Sequence, residues 1–409
     1  MKALKLLSLL CLSFSSLVYA NENNASLDGF ISDYKNQQFT YDYEKSKAES
    51  SKLRDSWIAP LRINYAYSKS NPYESEQLNE NAAIRMDQPI FQSGGIYYGI
   101  KFADASKLYN DVTIDVAKRK MIKSAISILM QIRQTTLREK RQKLQIKNSE
   151  INLLQKKEQY LNGQLDSGFL DNAIIQKNIV VEALYDIQTN KERLINRFSA
   201  LSDLDYKTVS ILHLDMISKD EFLTHNIYLQ QSDYEIEKNR YAKNVRVAKY
   251  LPKLNVTAGY NWQKTSNQQF SPAFPSFSNE LEYYNYGFNI SVPIDINTFK
   301  DIESAKIDYL KSKVLELDKK RELTALYDQV MNNIKNFDKK IRLSRDNKKL
   351  YSKLLSDTKK LFVSGYKTQY DVDTLTNSLK IQNIDTKIYR IDKQLELLNL
   401  YEMYLNEKK

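Results

Sequence analysis

The chain has 409 residues, with 61 Lys and Arg against 50 Asp and Glu and a net charge of +11. Its one cysteine, at position 11, excludes a disulfide framework, and a thiolate site is excluded in the rest of the chain. The two histidines, His213 and His225, have no metal-ligand spacing, and no Ser/His/Asp set or glycine-rich phosphate loop occurs, so no enzyme, metal site or cofactor is expected.

The opening MKALKLLSLLCLSFSSLVYA reads as a secretory signal peptide over residues 1–20. Lys2 and Lys5 form its basic end, Leu6 to Val18 its apolar core, and Val18-Tyr19-Ala20 its cleavage site. Cys11 lies inside the apolar core, so no lipid anchor is expected by that route. The following 389 residues carry a net charge of +9 and no apolar run of 18, so any membrane crossing must use strands. Their lysines interleave with Glu and Asp along helical segments, as on solvated helix faces, and export also speaks against nucleic acid.

Proline and glycine divide the rest. The prolines fall at 60, 72 and 89, then at 252, 272, 275 and 293, and the long tracts between and after them hold few glycines. These breakers predict a first repeat over 21–201, with strands at about 61–70 and 82–91. A helical hairpin follows over about 95–201, with its tip near 163–171. Residues 202–224 form a connector. A second repeat, 225–409, has strands at about 253–264 and 283–293 and a hairpin over about 298–407 with its tip near 363–368. Pro60, Pro89, Pro252 and Pro293 mark the expected changes between helix and strand.

The strands alternate with period two. Val256, Ala258, Tyr260 and Trp262 oppose Asn255, Thr257, Gly259, Asn261 and Gln263, and Tyr284, Tyr286, Phe288 and Ile290 oppose Asn285, Gly287, Asn289 and Ser291. Such tyrosine-rich segments with few charges fit transmembrane strands, although a small soluble sheet packed on helices gives the same alternation. Four strands cannot stand open in lipid, and a barrel needs at least about eight, so the membrane reading demands an oligomer.

The helical tracts carry heptad-like spacing: Leu137, Leu144 and Ile151; Leu154 and Leu161; Leu343, Leu350, Leu354 and Leu361; Ile384, Ile388, Ile391, Leu395 and Leu398. At about 1.5 Å per residue each long helix would reach roughly 100 Å. The halves also repeat. WIAPLRINYAY is answered by KYLPKLNVTAGY and MDQPIF by ISVPID, and Gly168 pairs with Gly365, 197 positions later, with Asp171 and Thr368 as the following helix starts.

The LPKLNVTAGY segment, the Pro-Ile pairs at 89–90 and 293–294, the Ser-Gly-Phe and Ser-Gly-Tyr turns at 167–169 and 364–366, and the segment 231–254 together resemble the TolC family of outer-membrane efflux proteins. The resemblance implies a mainly α fold with a membrane β portion. It is a duplicated strand-strand-helix-helix repeat forming a homotrimer with a twelve-stranded β-barrel and a long coiled-coil periplasmic tunnel. It implies a Gram-negative outer-membrane exit duct, working with a periplasmic adaptor and an inner-membrane transporter (RND, ABC or other) in efflux or type I secretion. Val256, Tyr260, Trp262, Tyr286, Phe288 and Ile290 would then meet outer-membrane lipid. Gly168, Phe169, Gly365, Tyr366 and Lys367 would be adaptor-docking tips. A pore constriction is expected at Asp371, the first acidic position after the second tip; Thr374 takes the second position, with Asp373 beside it. Thr368-x-x-Asp371 also reads as a helix cap, and Gly168 and Gly365 as turn residues with positive φ. Two other classes compete: an adhesive coiled-coil envelope protein, which needs no strand pairs, and a periplasmic adaptor, which has a single hairpin.

Overall fold

The structure, a computed structural model, describes residues 27–71, 76–210, 213–267 and 277–405. The signal segment 1–20 and Pro72, Pro272 and Pro275 lie outside the described residues. In chain order the elements are α1 (Asp33–Arg54), β1 (Arg62–Ser70), β2 (Gln77–Phe91), α2 (Gly95–Leu161) and α3 (Ser167–Ser199). They continue with α4 (Lys219–Thr224), α5 (Ile227–Lys249), β3 (Lys253–Asn267), β4 (Phe277–Ser291), α6 (Thr298–Val363) and α7 (Gln369–Tyr401). The duplication is visible in the lengths: α2 and α6 have 67 and 66 residues, and α3 and α7 have 33 each.

The tips show how the two halves correspond. Asn162 caps the end of α2 and Ser364 that of α6, and each cap is followed by a glycine with positive φ, 71° at Gly163 and 80° at Gly365. The amides beyond turn back to the last helical carbonyls, Gln164 N to Gln159 O at 2.8 Å and Tyr366 N to Leu361 O at 2.9 Å. This is the Schellman closure, which requires a left-handed residue and so favours glycine. The partner of Gly365 is therefore Gly163, 202 positions earlier, and not Gly168. Gly168 is the second residue of α3, and its amide donates to the Asp166 cap at 2.8 Å. Asp166 and Thr368, not Asp171 and Thr368, are the matching helix starts.

α1 has no counterpart in the sequence pattern. It packs on α2 through small and polar groups: Ser46 Oγ donates to Asp111 at 2.8 Å, Ser50 Oγ donates to the Ala103 carbonyl at 3.2 Å, and Tyr43 donates to Asp115. Phe39 is its one buried apolar residue, so no apolar stripe announces it.

The four strands form one antiparallel sheet in the order β1-β2-β3-β4. β2 and β4 begin several residues before their apolar alternation, because Gln77–Asn81 and Phe277–Glu282 extend the ladders where the sequence is polar or mixed. Among the helices, α2 packs on α3 and α7, α7 on α6, and α5 on both α2 and α6.

The buried core lies where the helices of both repeats meet. One cluster joins Phe30, Ile31 and Phe39 to Leu129 and Met130 of α2 and Phe198 of α3. Its repeat partner joins Ile217 and Phe222 to Val330 and Ile334 of α6 and Leu397 and Leu400 of α7. Phe198 and Leu400, both 0% exposed, stand 202 positions apart. The connector is pinned here too, since Arg133 donates to the carbonyls of Lys207 and Val209, each at 2.9 Å.

Candidate functional site

The register of the strands sorts the sheet into two chemically distinct faces. Ile63, Ile84, Tyr260 and Tyr284 lie in one transverse row, and Met86, Ala258 and Tyr286 in another on the same face. Val256, Trp262, Phe288 and Ile290 share it, and Tyr286 in mid-band is 81% exposed. At one end carboxylates border this band: Tyr65 donates to Glu80 at 3.0 Å, Tyr260 to Glu282 at 2.8 Å and Trp262 Nε1 to Glu280 at 2.6 Å. The opposite face carries Asn64, Asn81, Thr257, Asn261, Gln263, Asn285 and Asn289. One face of the sheet is thus mostly apolar and the other wettable, at the strand spacing that places alternate residues on opposite faces.

Of the four boundary prolines, Pro60 and Pro252 stand between a helix and a strand, α1 to β1 and α5 to β3. Pro293 follows the end of β4 and precedes α6. Pro89 lies inside β2, at the register shift between Pro89 and Phe91, where a missing amide is tolerated.

At the tips, Phe169 is exposed and Tyr366 is 81% exposed, with Gly168, Gly365 and Lys367 exposed beside them. Asp371 sits in the capping box that starts α7. The Thr368 amide and hydroxyl donate to its Oδ2 at 3.0 and 2.9 Å, and its own amide donates to Thr368 Oγ1 at 3.3 Å. The Thr368 amide, with help from its hydroxyl and Lys367, holds the Asp371 carboxyl below the usual carboxylate range. Oδ1 faces Lys367 Nζ, 4.0 Å away. Asp373 accepts from Gln369 at 2.8 Å. Asp371 and Thr374, three residues apart, share a helix face, whereas Asp373 points away from it.

Sequence reasoning missed a polar seam between α2 and α7. From tip to core it runs through Tyr370 to Glu158 at 2.8 Å, Asn377 to Asn148 at 2.9 Å, Arg141 to Asp385 at 3.2 Å and Gln134 to Asp392. These pairs link residues more than 200 positions apart, which no local pattern reveals. Burial pushes the Asp392 carboxyl up despite the hydrogen bond from Gln134.

The outer elements of the chain are unsatisfied on both flanks. β1 and β4 each have one neighbour only, so each presents a free row of amides and carbonyls. α6 leaves its heptad leucines 343, 350, 354 and 361 exposed, the first at 63%, and α3 leaves Ile174, Ile175 and Ile179 exposed. The inner seam closes instead, with Ile388 and Leu398 buried. Among the described residues no helix is long and apolar enough to cross a membrane, and no His, Cys, Asp and Glu group could hold a metal ion.

Residues 220–404, which span most of the second repeat, match the sequence profile of the family described as outer membrane efflux protein. Among curated proteins no sequence matches. The solved structures give whole-chain likenesses. The Campylobacter jejuni CmeC outer membrane channel superposes with a TM-score of 0.71 at 12% identity, over 98% of this chain and 95% of that one. The Vibrio cholerae outer membrane protein VceC gives 0.67 at 14% identity, over 90% and 92%. The Neisseria gonorrhoeae MtrE outer membrane channel gives 0.61 at 11% identity, over 90% and 85%. The chain has the fold of the TolC-family outer-membrane efflux channels over 90–98% of its length, and residues 220–404 carry the sequence pattern of the outer membrane efflux protein family.

Proposed function

We propose that the protein is a trimeric outer-membrane exit duct, receiving solute from an inner-membrane transporter through a periplasmic adaptor. The observation that carries this reading is the pair of unsatisfied flanks. β1 and β4 run antiparallel across the sheet, so β4 of one copy can pair with β1 of the next. The exposed seams of α6 and α3 lie on the same two flanks and would close with them, giving a head-to-tail ring. Three copies supply twelve strands and leave no edge, as a barrel in hydrocarbon requires. The apolar face then meets lipid and the asparagine-rich face lines water. The helical part extends into the periplasm of a Gram-negative cell.

Within this reading Phe169, Tyr366 and Lys367, exposed beside Gly168 and Gly365, form the adaptor-docking tips, and the exposed aromatics supply the contact area. Asp371, with Thr374 on its face, narrows the tunnel behind them, and its Oδ1, outside the capping box and 4.0 Å from Lys367 Nζ, is the atom left for passing cations. Asp371→Ala in planar bilayers is expected to lose block by divalent cations. Block equal to that of the native protein removes Asp371 from the constriction.

The direct test is fractionation. The protein is expected in the outer membrane as an SDS-resistant trimer, and a soluble periplasmic monomer overturns the duct. An adhesive rod of coiled coils would leave the sheet and its apolar face without a role.

A further inference from the structure

One transverse row of the wettable face differs from its neighbours. Across all four strands the register aligns Arg62, Arg85, Gly259 and Asn285. The row toward the polar loop end, Asn64, Ala83, Asn261 and Tyr283, is uncharged. The other charges on this face of the described strands are Asp87 and, at the helix end, Lys253. The face therefore carries three cations and one anion, with both guanidiniums in one place.

Two observations mark this row as built. Arg62 and Arg85 are direct cross-strand partners, and like charges directly opposite one another destabilise a sheet. Among the described residues neither has an ion pair, and Arg62 makes no side-chain hydrogen bond. Arg85, however, is held in place. It donates to Asn261 Oδ1 at 3.0 Å, and Asn261 in turn donates to Asn285 Oδ1 at 2.9 Å. Asn261 is itself buried, at 6% exposure. Gly259 makes the arrangement possible, because a Cβ there would lie 2.6 Å from Asn285 Oδ1 and 3.4 Å from Arg85 Cγ. Beside the row lies a cleft of about 600 Å³, lined by Arg62, Asn64, Arg85, Asp87, Asn261 and Asn285 among others.

We infer that the row is an oxyanion-binding and anion-selecting belt in the barrel lumen, recognising carboxylate, sulfate or phosphate groups on the exported solute. This rests on the trimeric duct proposed above. Closing three sheets turns the row into a belt of six guanidiniums, spiralling with the tilt of the strands. Guanidinium presents a planar fork of donors that matches an oxyanion bidentately, and it stays charged at any working pH. Rings of arginine are a known means of favouring anions in a pore. Asp87, one step nearer the helices, offsets part of the charge there and leaves the arginine row as the cationic maximum of the described strands.

Purified trimer in planar bilayers under a potassium chloride gradient tests the inference by its reversal potential. The chloride-to-potassium permeability ratio is expected to fall several-fold in Arg62→Gln/Arg85→Gln and to be retained in Arg62→Lys/Arg85→Lys. Added sulfate is expected to reduce chloride current through the native trimer and not through the glutamine variant. Arg62→Gln alone is expected to move the ratio part of the way. Because Arg62 makes no side-chain hydrogen bond or ion pair among the described residues, that variant guards against a folding artefact. A ratio unchanged in the glutamine variants, or lowered equally by lysine, overturns the belt while leaving the duct intact. A protein that forms no conducting trimer overturns the duct and the belt with it.

Discussion

Tyr286→Arg is expected to deplete the protein from the outer membrane, while Asn289→Arg, three positions along the same strand on the opposite face, is expected to leave its yield nearly unchanged. Tyr286 occupies mid-band on the apolar face, in register with Ala258 and Met86, and is 81% exposed in the single chain. An arginine facing lipid near the bilayer midplane costs about 2–4 kcal/mol, and a trimer would carry three. Asn289 stands between Ile290 and Phe288 in sequence but shares the wettable face with Asn255, where a charge stays hydrated. The measurement is SDS-resistant trimer recovered from isolated outer membranes. Equal recovery of the two variants would show that the apolar face does not meet lipid.

Phe198→Ala is expected to lower stability by about 3–5 kcal/mol, the usual cost of emptying a fully buried phenylalanine site. Phe198 is 0% exposed at the end of α3, packed with Phe30, Leu129 and Met130. Its surroundings are held on several sides, since the Leu201 carbonyl accepts from Ser32 N at 2.8 Å and Asp203 accepts from Asp33 N at 2.9 Å. The site cannot collapse freely to fill the void. Leu400→Ala, at the equivalent place in the second repeat, is expected to cost about 2–5 kcal/mol. Tyr366→Ala, on an exposed tip, is expected to stay within about 0.5 kcal/mol. Thermal inactivation of the detergent-solubilised trimer orders the three variants. A Phe198→Ala trimer as durable as Tyr366→Ala would show that this cluster does not hold the hairpins together.

Much of this architecture was legible because its signals are local. Alternation at Val256–Trp262 and Tyr284–Ile290 assigned both faces of the second strand pair, and the scarcity of proline and glycine marked the two long hairpins. Errors arose where a residue type stood for a conformation. Ser-Gly-Phe and Ser-Gly-Tyr look alike in letters, yet Gly365 is a left-handed closure and Gly168 lies in the first turn of α3. α1 was hidden because serine and tyrosine, not an apolar stripe, bind it to α2. The α2–α7 seam and the Arg62–Arg85 row depend on pairing between distant segments, and single-strand periodicity carries no register.

In the proposed trimer the two open edges of the sheet would also set the order and rate law of assembly. A lone chain can neither rest in hydrocarbon, with the outer amides of β1 and β4 unpaired, nor keep its aromatic band in water without risk of adding a stray strand. In the trimeric duct proposed here, folding of the membrane portion would be coupled to meeting two further copies, and the yield of finished duct should rise more steeply than linearly with the supply of chains. Below a threshold of synthesis the protein would accumulate as helical monomers awaiting partners, the state most open to proteolysis. The same edges that would make the proposed barrel seamless when complete would leave its half-built forms open to proteolysis.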